Sequence, residues 1–168
     1  MKSIIGKNID ILVITETKID PSFPNSQFQI DGFSMPFRFD RNRFGGGVII
    51  YVRDDIPSKQ LTRHKLPEDI EGIFIEVNLR KSKWLISGTY RPPCQSAEYI
   101  FKHIGFALDT YIQTYDTFLL AGDFNIEDHE PILSEFLVNY DSKNLVKEKT
   151  CFKSNENPRC IDLFITNK

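Results

Sequence analysis

Short runs of apolar, often β-branched residues alternate with polar, turn-forming stretches along the chain, and this pattern predicts a protein rich in β-strands. Strands are predicted at residues 10–15, 46–52, 72–80, 83–90, 118–122 and 160–166. The alternation within the strand at 72–80 is typical of a strand that is either half exposed or packed between two layers. Apolar residues spaced three and four apart predict a helix from Ser96 to about Tyr115, and a shorter helix is predicted from near Pro131.

Many strands with two interspersed helices predict either an α+β fold or a sandwich of two sheets with helices outside. The chain has 168 residues, of which 40% are hydrophobic. That length allows one domain with a substantial core and is too short for two. We therefore predict a single domain over residues 1–168.

Charge and cysteine content narrow the classes of function. The formal net charge is −2, so there is no global basic field and any contact with nucleic acid must be local. Cys94, Cys151 and Cys160 are an odd number without paired spacing, which signals neither a disulfide framework nor a zinc site. No apolar run approaches the roughly 20 residues of a membrane span. These features predict a soluble, intracellular protein, with a nuclear location as one option.

Polar side chains recur at the ends of predicted strands, where a rigid scaffold can hold them in a cleft. Glu16, Tyr90 and the pair Asp123 and Asn125 each end a strand, whereas Asp162 lies within one, where an unpaired carboxylate would be costly. Carboxylates from separated strands with an asparagine nearby suit Mg²⁺, which binds one or two carboxylates and leaves room for water and phosphate. Taken alone, each of these residues has another interpretation, as a turn former or as a solvated polar residue at the end of a strand.

Five motifs, in this order, carry a resemblance to a known family: "DILVITETK", "GGGVIIYVR", "SGTYRPP", "LLAGDFN" and "CIDLFITN". The chain resembles the endonuclease/exonuclease/phosphatase superfamily, and the sequences of its motifs are most similar to those of the endonuclease domains of non-LTR (LINE-type) retrotransposons. The resemblance implies a four-layer α/β sandwich that hydrolyses phosphoesters with Mg²⁺ or Mn²⁺. It also implies DNA as the substrate and, in full-length relatives, a reverse transcriptase domain that primes from the nick.

The resemblance implies a role for each candidate residue. Glu16 matches the metal-binding glutamate of the "ET" motif. Asp123 matches the aspartate that positions or deprotonates the attacking water, and Asn125 matches the residue that contacts the scissile phosphate. Tyr90 matches a tyrosine that hydrogen-bonds the phosphate, and Asp162 matches an aspartate that orients a catalytic histidine.

The chain departs from the family pattern at both ends. Members begin with an earlier strand that carries an asparagine, and they end with a Ser-Asp-His motif. This sequence is expected to begin within the helix before the "ET" strand, with residues 2–6 as the last turn of that helix, and it ends at Lys168. His64, His103 and His129 are interpreted as surface residues and not as replacements for the missing histidine. The expectation is a truncated copy, incomplete at its terminal strands, with weak or no nicking activity. The alternative is a non-catalytic remnant with residual DNA or metal binding, and a phosphatase of small phosphoesters lacks support in the motifs.

Arginines among phenylalanines suggest where DNA could bind. The stretch "RFDRNRF" contains Arg38, Arg41 and Arg43, a composition that suits contact with a phosphate backbone and stacking on bases. Arg53, after the strand that follows this stretch, and Arg91, beside Tyr90, are further candidates. The alternative is a loop with buried phenylalanines and solvated arginines.

Overall fold

Two β-sheets and two α-helices make up the computed structural model, which describes residues 9–62, 66–127, 129–152 and 158–168. The strands are β1 Ile11–Thr15, β2 Phe37–Phe39, β3 Val48–Val52, β4 Ser58–Gln60, β5 Glu71–Leu79, β6 Ser82–Tyr90, β7 Thr117–Asp123, β8 Lys143–Asn144 and β9 Asp162–Thr166. The helices are α1 Ala97–Tyr111 and α2 Pro131–Asn139. The predicted helical turn at residues 2–6 and the surface prediction for His64 lie outside the described residues.

The two sheets differ in size and in strand direction. The small sheet has the order β1-β3-β2 and is antiparallel, and the large sheet has the order β4-β5-β6-β7-β9-β8. Within the large sheet β6 and β7 run parallel, because α1 returns the chain across the sheet between them. The predicted sandwich of two packed sheets with helices is confirmed.

The core is divided into layers by the large sheet. Between the two sheets lies an aliphatic layer that includes Val48, Ile50, Ile73, Ile75, Val77 and Ile86. On the other face, both helices pack against side chains such as Phe74, Leu85 and Phe118. Strand β5 therefore packs between two layers, and this settles the choice that its alternation left open. The outer face of the small sheet is covered by a segment that includes Phe28 and Ile30.

The helix boundaries follow from capping and from the last turn. The Ser96 hydroxyl accepts a hydrogen bond from the backbone N–H of Tyr99 at 3.2 Å, and this caps α1. Helix α1 ends at Tyr111, earlier than predicted, because the chain tightens into a 3₁₀ turn over Ile112–Thr114. Strands β2, β4 and β8 were not predicted, since two or three residues are too few to show an alternation. None of the described helices has the length and apolar character needed to cross a membrane.

A hydrogen bond from a half-buried tyrosine links the two helices and makes the stability depend on pH in the alkaline range. Tyr140, which follows α2, donates a hydrogen bond to Asp109 of α1 at 3.0 Å. Burial and this hydrogen bond raise the pKa of Tyr140 to about 12. Because the folded-state pKa is raised, the stabilisation is complete below the unfolded value of about 10 and is lost as the pH rises through about 12.

We therefore expect Tyr140→Phe to lower the free energy of unfolding by about 1 kcal/mol at pH 8. The difference between the two proteins should shrink between about pH 10 and about pH 12, as ionisation removes the hydrogen bond from the parent chain. Urea unfolding of both proteins at a series of pH values measures this difference in the free energy of unfolding. A difference that stays constant over this interval would contradict the assignment.

Candidate active site

Four polar side chains form a row across one end of the large sheet. Glu71 of β5 lies opposite Tyr90 of β6, Tyr90 lies beside Asp123 of β7, and Asp123 lies opposite Asp162 of β9. Residues paired in this way share one face of a sheet. Glu71 alternates with Ile73, which is in the layer between the sheets, so the row faces the small sheet. These four residues are called the polar row.

Glu16 reaches the polar row from the opposite sheet. It follows the last residue of β1 and has a φ of 53°, a left-handed conformation that turns the chain sharply. Lys18, two residues further on, is fixed by a hydrogen bond from its backbone N–H to the carbonyl of Gly46 at 2.9 Å. The Glu16 carboxylate accepts a hydrogen bond from the Tyr90 hydroxyl at 2.7 Å. The polar ends of the two sheets are therefore joined at this point.

Negative charge surrounds the Tyr90 hydroxyl. Burial raises the pKa of Tyr90 well above its ordinary value, and the hydrogen bond to Glu16 and the charges of Asp123 and Glu71 act in the same direction. The hydroxyl therefore stays protonated and is available as a donor throughout the physiological range. Carboxylates concentrated in this way attract a cation.

The turn after β7 places Asp123 and Asn125 side by side. Gly122 precedes them with a φ of 148°, and a Cβ at this position would lie 1.9 Å from the carbonyl oxygen of Thr89, so only glycine fits. Asn125 has a φ of 47°, and its backbone N–H donates to Asp123 Oδ1 at 2.9 Å. Its carboxamide donates to the carbonyl of Arg91 at 2.8 Å. The two predicted residues are therefore held in one rigid turn.

Arg91 holds this turn from behind. Its side chain is buried, and its guanidinium donates to the backbone carbonyls of Gln95, Phe124 and Asn125. Its backbone N–H donates to the carbonyl of Asp123 at 2.9 Å. Since its donors point inward, its position argues against the predicted contact with DNA.

Arg38 and Arg53 also do not lie on an exposed surface of the candidate site. The Arg38 side chain is 6% exposed and donates to Asp40, to Asn25 and to the carbonyl of Phe23. Arg53 binds Asp10 and Asp55 beside the start of β1, roughly 17 Å from Glu16 at the end of that strand. Their donors and positions argue against the DNA contacts predicted for them.

The remaining arginines of the "RFDRNRF" stretch are accessible. Arg41 donates to Glu71 at 2.7 Å while its side chain stays 42% exposed. The guanidinium of Arg43 lies 5.2 Å from the centre of the exposed Phe44 ring. Arg41 borders the polar row through Glu71, and both arginines remain candidates for DNA contact.

The donor set suits a hard cation such as Mg²⁺. The described residues contain no group of three or more His, Cys, Asp or Glu side chains that could hold a metal. Mg²⁺ needs only one or two carboxylates, however, because water and substrate phosphate complete its octahedron. Glu16, with Asp123 or Asp162 across the gap between the sheets, offers that number.

The described histidines are not members of the polar row. His103 is in α1 and packs against the rings of Tyr99 and Phe106, and His129 is exposed just before α2. In the part of the chain that the structure describes, no histidine is hydrogen-bonded to Asp162. The role predicted for Asp162, which depends on a histidine, therefore stays a prediction.

One residue of the site was missed in the sequence, and the orientation of a second could not be predicted from it. Glu71 was not singled out, although it lies on the same alternating face as Ile73 and a buried carboxylate on such a face signals a partner. Arg91 was interpreted as a DNA contact, and nothing in the letters "TYRPP" shows that its guanidinium points inward. Only the pairing of β6 with β7 brings the guanidinium N–H groups of Arg91 to the turn that holds Asn125.

Comparisons with known proteins agree with this architecture. The sequence profile of the endonuclease/exonuclease/phosphatase family matches residues 2–168. No curated protein matches the chain in sequence.

Several solved structures share the fold at low sequence identity. The endonuclease domain of TRAS1, a telomere-specific non-LTR retrotransposon, is 14% identical with a TM-score of 0.69, and the match covers 93% of this chain and 71% of that one. The human Nocturnin catalytic domain with bound sulfate is 12% identical with a TM-score of 0.69, over 95% of this chain and 69% of that one. The 3′ phosphatase NExo from Neisseria, bound to a product DNA hairpin, is 15% identical with a TM-score of 0.66, over 96% of this chain and 77% of that one.

Proposed function

The chain belongs to the endonuclease/exonuclease/phosphatase family, and we propose that it is a metal-dependent phosphodiesterase that nicks DNA. The observation that carries the proposal is the meeting of Glu16 with the polar row, where Tyr90 bridges the two sheets through a 2.7 Å hydrogen bond. Carboxylates, a protonated hydroxyl and a carboxamide converge there from separate strands. Metal-assisted hydrolysis of a phosphoester uses these groups.

Each residue has a proposed role that its position supports. Asp123, held in the rigid turn, accepts the proton of the attacking water. The Asn125 carboxamide donates a hydrogen bond to an oxygen of the scissile phosphate, where charge develops. The Tyr90 hydroxyl would donate to a second oxygen in place of Glu16, which accepts its one hydrogen in this structure. Glu16 and Asp162 would hold Mg²⁺ or Mn²⁺, and Asp123 would then act as the base. When bound, such an ion neutralises phosphate charge and stabilises the leaving oxygen.

DNA is the proposed substrate. The TRAS1 domain is an endonuclease of a retrotransposon, and NExo was solved with product DNA, so structures of this fold include proteins that act on DNA. The motif wording "GDFN" and "TYRPP" is most similar to the retrotransposon group. We therefore propose that the nick serves a reverse transcriptase, which would extend the exposed 3′-hydroxyl.

The second candidate is a non-catalytic protein that keeps the fold and some DNA or metal binding. One observation favours it: within the described residues no three metal-ligating side chains are grouped. A single assay separates the two candidates.

We expect the purified chain to convert supercoiled plasmid to the nicked form with Mg²⁺ or Mn²⁺ and to lose this activity with EDTA. The reason is that the polar row offers carboxylates to a cation but no positive charge to the scissile phosphate. Gel electrophoresis of the plasmid measures the rate. The Asp123→Asn variant, purified in the same way, controls for a contaminating nuclease.

Absence of nicking from a protein shown by circular dichroism to be folded would overturn the catalytic proposal. Retention of plasmid binding in that case would support the non-catalytic candidate. Equal nicking by the parent chain and by Asp123→Asn would also count against the proposed site.

A further inference from the structure

Arg41 is held in place by a buried carboxylate. The Glu71 side chain is 3% exposed, and it accepts hydrogen bonds from Arg41 Nη1 at 2.7 Å and from the backbone N–H of Gly47 at 2.5 Å. This fixes one edge of the guanidinium and leaves Nε and Nη2 for another acceptor. An arginine oriented in this way is well suited to bind an oxygen pair of a phosphate.

The position of this guanidinium relative to the reacting groups is set by the large sheet. Glu71 lies one strand from Tyr90 and two strands from Asp123 in the polar row. Two strand spacings are roughly 10 Å. Arg41 is thus too far to share the phosphate proposed for Asp123 and Asn125, yet it faces the same end of the sandwich.

An open cleft extends from the polar row past Arg41. It has a volume of about 590 Å³ and is lined by residues 39–41, 68–69, 71, 92 and 94–95. Among these lining residues Arg41 is the cation, whereas Asp40, Glu68, Asp69 and Glu71 are acidic. Asp40 is paired with Arg38 and Glu71 with Arg41, while Glu68 and Asp69 are exposed. A second phosphate in this cleft would therefore be attracted to Arg41 and repelled from the opposite wall.

We propose that Arg41, oriented by Glu71, binds a phosphate that neighbours the scissile one, so that the substrate is a polynucleotide strand and not a phosphomonoester. The inference rests on the proposed function, because it takes the scissile phosphate to lie at Asp123. The Arg41 cleft is then the subsite that binds the part of the DNA strand next to the reacting bond.

The test measures binding without cleavage. Fluorescence anisotropy in EDTA follows a labelled DNA duplex in which each phosphate in turn is replaced by a neutral methylphosphonate. For the parent chain, one replacement next to the nick position should weaken binding about 10-fold. Arg41→Ala should bind unmodified DNA about 10-fold more weakly, lose sensitivity to that one replacement, and show a log–log salt slope reduced by about 1.

Two variants control this result. Arg41→Ala leaves the buried Glu71 without its guanidinium, so the double variant Arg41→Ala/Glu71→Gln is measured as well, because it removes the uncompensated charge. Arg80→Ala removes an equal charge from the exposed turn between β5 and β6, at the far end of the sheet, and should keep the parent profile.

The outcomes separate this inference from the proposed function. Identical methylphosphonate profiles for the parent chain and both Arg41 variants would overturn the Arg41 subsite even if the plasmid is nicked, and so would the absence of measurable DNA binding. A profile that changes only in the Arg41 variants would support the subsite even if no nicking is seen.

Discussion

Replacing Asp123 with asparagine is expected to lower the rate of plasmid nicking by about 10²- to 10⁴-fold, the usual effect of removing a general base. The loss should come from chemistry and not from folding. Asparagine keeps an oxygen in place of Oδ1, so it can still accept the hydrogen bond from the backbone N–H of Asn125, which measures 2.9 Å. The initial rate of conversion of supercoiled to nicked plasmid measures the effect.

Asp141→Asn provides the matched control for this prediction. Asp141 is exposed and has a φ of 43°, a conformation that asparagine tolerates well. The substitution removes the same charge from a position outside the polar row, so the nicking rate should stay within about twofold of the parent rate. A loss of less than 10-fold in Asp123→Asn would show that another group accepts the proton.

The strands that carry the site could be predicted because their apolar residues follow a regular period. Tyr90 and Asp123 end such strands, so their place at a sheet end follows from the sequence. Their adjacency does not, since it depends on α1 returning the chain so that β7 pairs in parallel with β6. The hydrogen bond between Tyr90 and Glu16 depends on how two separate sheets pack, which no local pattern encodes.

Arginine roles were the hardest to predict, for a physical reason. Arg38, Arg41 and Arg91 each lie within two residues of an aromatic residue, yet the partners of their guanidinium groups differ. Backbone carbonyls satisfy Arg91 in the interior, an exposed edge remains on Arg41, and Arg38 is enclosed. Sequence specifies the donor, whereas the acceptors come from loops brought together only by the tertiary fold.

Replacing Arg91 with methionine is expected to slow nicking by about 10²-fold and to lower the free energy of unfolding by about 2–4 kcal/mol. Three backbone carbonyls, that of Phe124 buried and those of Gln95 and Asn125 partly buried, would lose their donor, and each unsatisfied acceptor costs on the order of 1 kcal/mol. The rate should fall because the turn with Asn125 is no longer fixed, and a displacement of about 1 Å at a catalytic group can cost 10²-fold. Single-turnover nicking and urea unfolding measure the two effects.

A double-mutant cycle distinguishes positioning of Asn125 from a general loss of stability. Asn125→Gly is the partner variant, because glycine keeps the left-handed conformation while removing the carboxamide. If Arg91 acts through Asn125, then Arg91→Met should cost far less in the Asn125→Gly background than alone, since the group it positions is already gone. Equal rate losses in both backgrounds would mean that Arg91 supports the fold without setting the geometry of the turn. The carboxamide would then be held by its hydrogen bond to the backbone carbonyl of residue 91, and the turn by the bond from the Asn125 N–H to Asp123.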